Sequence, residues 1–363
     1  MSASFLGIEK SVSGKRWTLR EANDREALAL CQRFSLPDVV GRILSARGIG
    51  LDDAQDYLNP SLKALLPDPS HLVDMDKAVD HIVYDIQSGK KIAVFGDYDV
   101  DGATSSAVLR RYFSMIGREI RVHIPDRMTE GYGPNLPALL ALQEQGVSTV
   151  ITVDCGITAF DVLKSATDAG LNMIVMDHHT AEPKLPDAVA VVNPNRLDDA
   201  SPHGHMAAVG VVFLLVVALN RKLRDVGFFA TQKEPDIRLL LDLVALGTVC
   251  DVVPLKGVNR AFVSQGLKVL AGRRNVGLKA LADVSAVDGY PTAYHLGFQM
   301  GPRVNAGGRV GEAALGSRLL SSDNFNESIQ IARMLDQYNT ERKQIEADTL
   351  EQAIEQVERE NRS

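Results

Sequence analysis

A chain of 363 residues with 45% hydrophobic and 23% charged residues is long and apolar enough to bury a core and to form two or three folding units. Its formal net charge of −7 gives no electrostatic encouragement to binding a polyanion. It does not forbid a local basic surface, and carboxylates clustered around cations would inflate the negative count.

The N-terminal stretch MSASFLGIEKSVSGKRW has no apolar core of signal-peptide length. The longest apolar run, Met206 to Leu219, falls short of the roughly 20 residues that cross a bilayer and reads as a buried helix. Cys31, Cys155 and Cys250 form no CxxC pair or disulfide framework. A cytoplasmic protein without membrane contact is expected, its cysteines acting as small packing residues.

In chain order, residues 1–75 read as an N-terminal helical extension. Asp38 to Ala46 and Leu51 to Leu58 have helical spacing, and LLPDPSHL marks a connecting segment. From Lys90 onward, short apolar runs alternate with helical stretches. IAVF precedes Asp97, RVHIP ends at Pro125, TVITV precedes Asp154, NMIVM precedes Asp177 and AVAVV precedes Asn193. This alternation predicts an α/β fold, a mostly parallel sheet flanked by helices. After Met206 the pattern turns helical through about Leu320. Residues 324–363, without Pro or Gly, predict one long, largely solvated helix.

The chemistry lies in four clusters: GDYDVDG from Gly96, VDCG from Val153, MDHH from Met176 and CDVVP from Cys250. The first three each follow a predicted strand directly, which places them at the carboxyl edge of one sheet, where open α/β sheets bind ligands. Carboxylates and imidazoles supplied from several chain positions suit a pair of divalent cations and the hydrolysis of a phosphate ester. Gly102 lets the backbone enter the next helix close to a ligand, and the helix start expected near Ala103 favours a phosphate. An Asx-turn with helix caps is the structural alternative for GDYDVDG alone. Asp251, at the end of a long apolar run, would be costly to bury unpaired. His203 and His205 in HGHMAAVGVV are expected as exposed loop residues.

These four ordered strings resemble the motifs of the DHH phosphoesterase superfamily. IPDRMTEGYGPN from Ile124, GPRVNAGGRVGEA from Gly301 and LDQYNTERKQIE from Leu335 narrow the resemblance to the RecJ branch, from roughly Phe5 to the C-terminus. The resemblance implies that Asp99, Asp101, Asp154, His178 and Asp251 ligate two divalent cations, with Asp97 a further ligand or a catalytic carboxylate beside them. It implies that His179 faces the scissile phosphate, that Arg127 holds substrate phosphate near the 5′ end, and that Arg303, with Asn305 nearby, contacts phosphate beside the metals. Residues 76–323 become the catalytic domain and 324–363 a connector helix.

The implied activity is a single-strand-specific 5′ to 3′ DNA exonuclease of recombination and repair that releases 5′-mononucleotides. An activated water would attack phosphorus in line with the leaving 3′ oxygen. Mixed carboxylate and imidazole ligation favours Mn²⁺, with Mg²⁺ the alternative working ion. Partners implied are single-stranded DNA, a single-strand-binding protein and a RecQ-type helicase, and a monomer is expected. A phosphodiesterase for short oligonucleotides, an inorganic pyrophosphatase and a non-catalytic scaffold are the competing readings. The family continues past the long helix into a DHH-associated domain and an oligonucleotide-binding fold. This chain ends inside the helix, so a fragment or short form with reduced processivity is expected.

Overall fold

Each apolar run that the sequence marks as a strand forms one. The computed structural model describes residues 4–360, and the chain resolves into two units, one running through Leu65 and the other beginning at Leu66. The first unit holds α1 (Asp24–Phe34), α2 (Asp38–Ala46), α3 (Ala54–Leu58) and α4 (Leu62–Leu65). Asn23 starts α1 by accepting the amides of Arg25 and Glu26. Leu30, Leu44, Ile49 and Ala54 form the small core. The helix expected from Leu51 begins only at Ala54, because residues 51–53 are used in the turn that brings the Ala54 amide to the Gly50 carbonyl, 3.0 Å away.

The second unit runs α5 (Met75–Gln87), β1 (Lys91–Gly96), α6 (Val100–Met115), β2 (Arg121–His123), α7 (Leu136–Glu144), β3 (Val147–Val153), α8 (Phe160–Asp168), β4 (Asn172–Met176) and β5 (Ala190–Val192). The helical part follows as α9 (Ala208–Asp225), α10 (Leu241–Cys250), α11 (Gly257–Ala271), α12 (Val276–Val284), α13 (Gly301–Val310), α14 (Leu315–Ser321) and α15 (Phe325–Glu360). A π-helical turn, His295–Met300, leads into α13.

The five strands lie in the order β2-β1-β3-β4-β5, and every pair is parallel. Ala93, Phe95, Val150, Met173 and Val175 pack on α7 and α8 through Leu139, Leu142, Leu163 and Ala166. The alternate residues Ile92, Val94, Ile151 and Ile174 are buried as well, on the side that meets α5, α6 and α9. Burial on both faces is why β1, β3, β4 and β5 read as near-continuous apolar runs, whereas β2 at the sheet edge is only partly buried. Each such side chain stabilises the sheet by about 1.5–3 kcal/mol.

Small residues set the spacing around α6. Thr104, Ser105 and Ser106 are fully buried. A Cβ on Gly96 would sit 2.2 Å from Ser106 Oγ, and one on Gly247 would sit 2.3 Å from Thr104 Oγ1. α6 is therefore wedged against β1 on one side and α10 on the other, which brings the ends of both elements to one place. At the sheet margin, β5 pairs with no further strand among the described residues. Asp74 accepts the Val191 amide, and the buried Arg196 joins Asp74 to the Val191 carbonyl, so this edge is closed by side chains.

The long helix forms as expected over Phe325–Glu360, and residues 361–363 lie outside the described residues. Ile331, Ala332 and Leu335 bury its first turns, whereas Ile345, Leu350, Ile354 and Val357 are exposed. No helix among the described residues is long and apolar enough to cross a membrane.

Asp242, in the first turn of α10, is 2% exposed and accepts the Leu243 amide at 2.8 Å. Burial pushes its carboxyl up to about 7. The unfolded chain ionises this group first, so its contribution to stability is fully present below about pH 4 and is lost as pH rises toward 7. Asp242→Asn cannot ionise. Its melting temperature relative to wild type should rise between pH 4 and pH 8, by an amount equivalent to roughly 1–4 kcal/mol. Thermal unfolding at the two pH values checks this, and an unchanged difference would refute it.

Candidate metal centre

Three strand ends and one helix end deliver the acidic residues. β1 stops at Gly96, and the chain turns through Asp97, Tyr98 and Asp99 into α6. Asp99 is the N-cap, its Oδ1 accepting the amides of Asp101 at 2.8 Å and Gly102 at 3.0 Å. This capping starts α6 at Val100, three residues before the start near Ala103 that the sequence suggests. A Cβ on Gly102 would lie 2.4 Å from the Asp97 carbonyl oxygen, so only glycine permits the turn.

Asp101 is buried in the first turn of α6. Its Oδ2 accepts the Ala208 amide at 2.6 Å and its Oδ1 the Val209 amide at 2.9 Å. The start of α9 thus fixes this carboxylate at the positive end of its dipole. Asp154 follows β3 in a left-handed conformation, φ 61°. A non-glycine residue held there stores on the order of 1–3 kcal/mol of strain, and such strain gathers at functional sites. Asp251 caps the C-terminus of α10, and Val252 beside it has φ 60°.

His178 stands among these groups. Its Nε2 is 3.3 Å from Asp154 Oδ1 and 3.8 Å from Asp101 Oδ2, and its Nδ1 is 3.7 Å from Asp251 Oδ2. Nε2 of His178 and Oδ2 of Asp251 are buried without a hydrogen-bond partner. Burial and the neighbouring His179 hold the His178 ring below its ordinary pKa, which keeps it neutral and able to ligate. Burial, then the charges of Asp251 and Asp99, raises Asp101 well above the carboxylate range, and burial with Asp101 does the same to Asp154. Asp97 is pushed up to about 7 by burial and Asp99, and Asp251 to about 6 by the same two causes.

Two disjoint groups emerge, Asp97-Asp99-Asp154 and Asp101-His178-Asp251, each with donor atoms within 4.8 Å of one another. A third, Asp154-His178-His179, overlaps both sets. The donor set fits two divalent cations: oxygen-rich, with a neutral imidazole, two buried orphan atoms and mutually repelling carboxylates.

His179 is held differently. Its Nδ1 lies 2.7 Å from Asp177 Oδ1, an interaction that raises the ring's pKa. Asp177 is fully buried and also accepts the amides of Ile157, His178 and His179. Burial alone would raise its pKa, but the His179 ring and these amides outweigh it, and the net shift is downward. Asn193 and Asn195 then grip the carbonyls of His179 and His178. The sequence marks the strand before Asn193 but assigns no role to Asp177, Asn193 or Asn195. The Asp before two histidines and the NPN string after a strand were the available signals.

The predicted phosphate contacts are placed unequally. Arg127 is exposed and sits over the Tyr98 ring, 5.4 Å from its centroid, within the GDYDVDG turn. Tyr98 meets Tyr132 edge-on, and the Tyr132 hydroxyl is 3.5 Å from the Asp154 carbonyl. Asn305 accepts the Val100 amide at 3.1 Å, tying α13 to the start of α6. Arg303 is turned to α15: Nε meets Asp336 at 2.8 Å, and Nη1 meets the Gln299 carbonyl at 2.6 Å. Cys155 and Cys250 are thiols whose pKa burial drives up, in keeping with a packing role. His203 and His205 lie in a loop but are half-buried rather than exposed, because Asn259 draws the His205 carbonyl in at 2.7 Å.

A parallel sheet with aspartates and paired histidines at its carboxyl edge defines a DHH-type protein, and the sequence model of the DHH family, N-terminal domain, matches residues 91–248. The chain is 35% identical over 347 residues to the single-stranded-DNA-specific exonuclease RecJ of Bacillus subtilis, covering 95% of this chain and 42% of that protein. It is 39% identical over 316 residues to RecJ of Escherichia coli, covering 86% and 54%. Among solved structures, exonuclease RecJ bound to manganese matches with TM-score 0.70 and 34% identity over 78% of this chain and 70% of that one. RecJ of Thermus thermophilus in complex with Mn²⁺ matches with TM-score 0.77 and 30% identity over 92% and 46%. The chain belongs to the RecJ family. It spans about half the length of the curated relatives it matches.

If repulsion among these carboxylates is real, relieving it must stabilise the cation-free protein. In the presence of chelator at pH 8, Asp154→Asn should melt a few degrees above wild type. On addition of a divalent cation the order should reverse, because only wild type gains binding energy, about 2.7 kcal/mol at a concentration 100 times the Kd. A variant that melts lower than wild type in chelator would count against this electrostatic account.

Proposed function

We propose that this chain is the catalytic part of a two-cation, single-strand-specific 5′ to 3′ DNA exonuclease acting in recombination and repair. The observation that carries the reading is the pair of disjoint donor groups around His178, in a chain of the RecJ family. Residues 76–323 serve as the catalytic domain and 324–363 as the connector to further domains. Asp99, Asp101, Asp154, His178 and Asp251 hold the cations, and Asp97 acts beside them. Mn²⁺ suits the mixed oxygen and nitrogen set better than Mg²⁺.

When bound, the cation pair lowers the pKa of a water and neutralises charge on the phosphoryl oxygens. The residues supply the rest. Asp177 keeps the Nδ1 proton of His179 in place, so Nε2 presents a second proton to a non-bridging phosphate oxygen as negative charge builds there. Arg127, on the exposed rim over Tyr98, receives the 5′-terminal phosphate and fixes polarity. Asn305 keeps the start of α6, with Asp99 and Asp101, against α13, and Arg303 leaves Asp336 to reach phosphate when substrate enters. The working partner is single-stranded DNA in the cytoplasm, with a single-strand-binding protein and a RecQ-type helicase supplying the strand to a monomeric enzyme.

The test compares end-labelled single strand, duplex and pyrophosphate in Mn²⁺. Stepwise release of 5′-mononucleotides from the 5′ end of the single strand alone is expected. Pyrophosphate hydrolysis without strand degradation would overturn the reading, and failure of wild type to take up metal would leave only a scaffold. Asp154→Ala should abolish turnover. His179→Ala should lower kcat by roughly 10²–10³ while calorimetric Mn²⁺ uptake stays near wild type.

A further inference from the structure

The opposite edge of the sheet carries a basic groove that the catalytic reading does not use. Lys91 and Arg121 are the first residues of β1 and β2, and with Arg110, Ser114, Arg118 and Glu119 they line a cavity of about 600 Å³. Four cations therefore face one carboxylate, on a chain whose formal net charge is −7. The groove runs on past Arg110 and Ser114 into a second cavity of about 370 Å³ that adds Arg111 and Arg318.

The charges in the first cavity are left unneutralised. Lys91 Nζ is spent on the Gln145 carbonyl at 3.0 Å, and Arg121 meets the Gln145 side-chain oxygen, both uncharged. The Arg118 guanidinium lies 5.8 Å from the centre of the Phe228 ring. Among the described residues, none of Lys91, Arg110, Arg118 and Arg121 forms an ion pair, whereas Arg111 and Arg318 in the neighbouring cavity are bridged to Asp323, Glu312 and Glu327. A row of cations kept apart from carboxylates within an acidic protein is the footprint of a polyanion.

We propose that this groove is a second nucleic-acid contact, which grips the phosphate backbone of duplex DNA. None of its lining residues is aromatic, and the Phe228 ring beside it is met by the Arg118 guanidinium, so the groove offers no open row of rings of the kind single-strand tracks rely on. The regularly spaced phosphates of a duplex suit a groove lined by four Arg and Lys side chains. The groove lies one strand length, roughly 20 Å, from the carboxyl edge that bears the metal centre. It therefore belongs to a different stretch of DNA from the one being cut. An enzyme so built digests a single strand while attached to the duplex beside it. The polymer is chosen on the strength of the nuclease reading, but the groove itself rests on charge alone.

The test measures anisotropy of a labelled 20-base-pair blunt duplex, in chelator, as salt is raised. Arg110→Glu/Arg118→Glu should weaken binding by about 10-fold or more at low salt and flatten the salt dependence by roughly two phosphate contacts. Arg110→Gln/Arg118→Gln should lie between. Arg238→Glu, which removes an exposed arginine outside the groove, should bind like wild type. Hydrolysis of a short single strand in Mn²⁺ should be the same in all four proteins. Absence of duplex binding by wild type, equal binding by the double reversal, or an equal loss in Arg238→Glu overturns the proposal. So does a loss confined to single-strand binding. If no protein hydrolyses the strand but the double reversal still loses the duplex, the nuclease reading falls and the groove stands.

Discussion

The structure depends on holding like charges together. Asp101, Asp154 and Asp251 surround His178, and Asp97 and Asp99 join Asp154, without a lysine or arginine in ion-pair contact among the described residues. Two unit charges 4 Å apart repel by about 4 kcal/mol at an effective dielectric constant of 20, so such a cluster survives only if other forces position its members. The backbone does this work. The first amides of α9 hold Asp101, those of α6 are capped by Asp99, and three amides with one imidazole hold Asp177. Apart from the His179 ring, each anchor is a backbone donor that regular structure would leave unsatisfied at a helix start or a strand end. The fold therefore positions the carboxylates without opposing cations, and their charge stays free for multivalent ions.

This explains what could and could not be read in the sequence. Strands buried on both faces give unbroken apolar runs, which makes β1, β3, β4 and β5 legible, whereas the partly exposed β2 shows only as Val122 and Ile124 ahead of Pro125; the clusters are located because each begins where a run ends. The start of α6 is not, since Asp99 looks like a ligand and also caps the helix. The role of Asp177 is hidden for a related reason: with the two histidines adjacent, nothing in the string says that the carboxylate turns inward to Ile157 and the His179 ring. Asn193 and Asn195 grip carbonyls across a turn, a relation that periodicity does not report. The Arg303–Asp336 pair joins positions in α13 and α15, and the half-buried His205 depends on Asn259 in α11. Contacts between distant elements leave no local pattern.

The crowded carboxylates also tie cation binding to the folded state. Groups whose pKa is raised in the native protein lower its stability as pH rises, so the cation-free molecule is under most strain where the carboxylates are most ionised. Cations discharge that strain at the same pH at which their ligands are deprotonated. Asp154, strained in its backbone as well, carries both burdens, at the junction of the two donor groups.

The two edges of the sheet divide the charge of the molecule. Asp97, Asp154 and His178 lie just beyond the carboxyl ends of their strands, whereas Lys91 and Arg121 open β1 and β2 at the other edge. β1 connects them, as it begins at Lys91 and ends one residue before Asp97, and α6 runs back from Asp101 in its first turn to Arg110 and Ser114 in the groove. A polyanion approaching the cation-free molecule is repelled by the carboxyl edge and attracted by the amino edge. Divalent cations held at the carboxyl edge would offset that repulsion. The acidic net charge of the chain therefore averages two edges of opposite character.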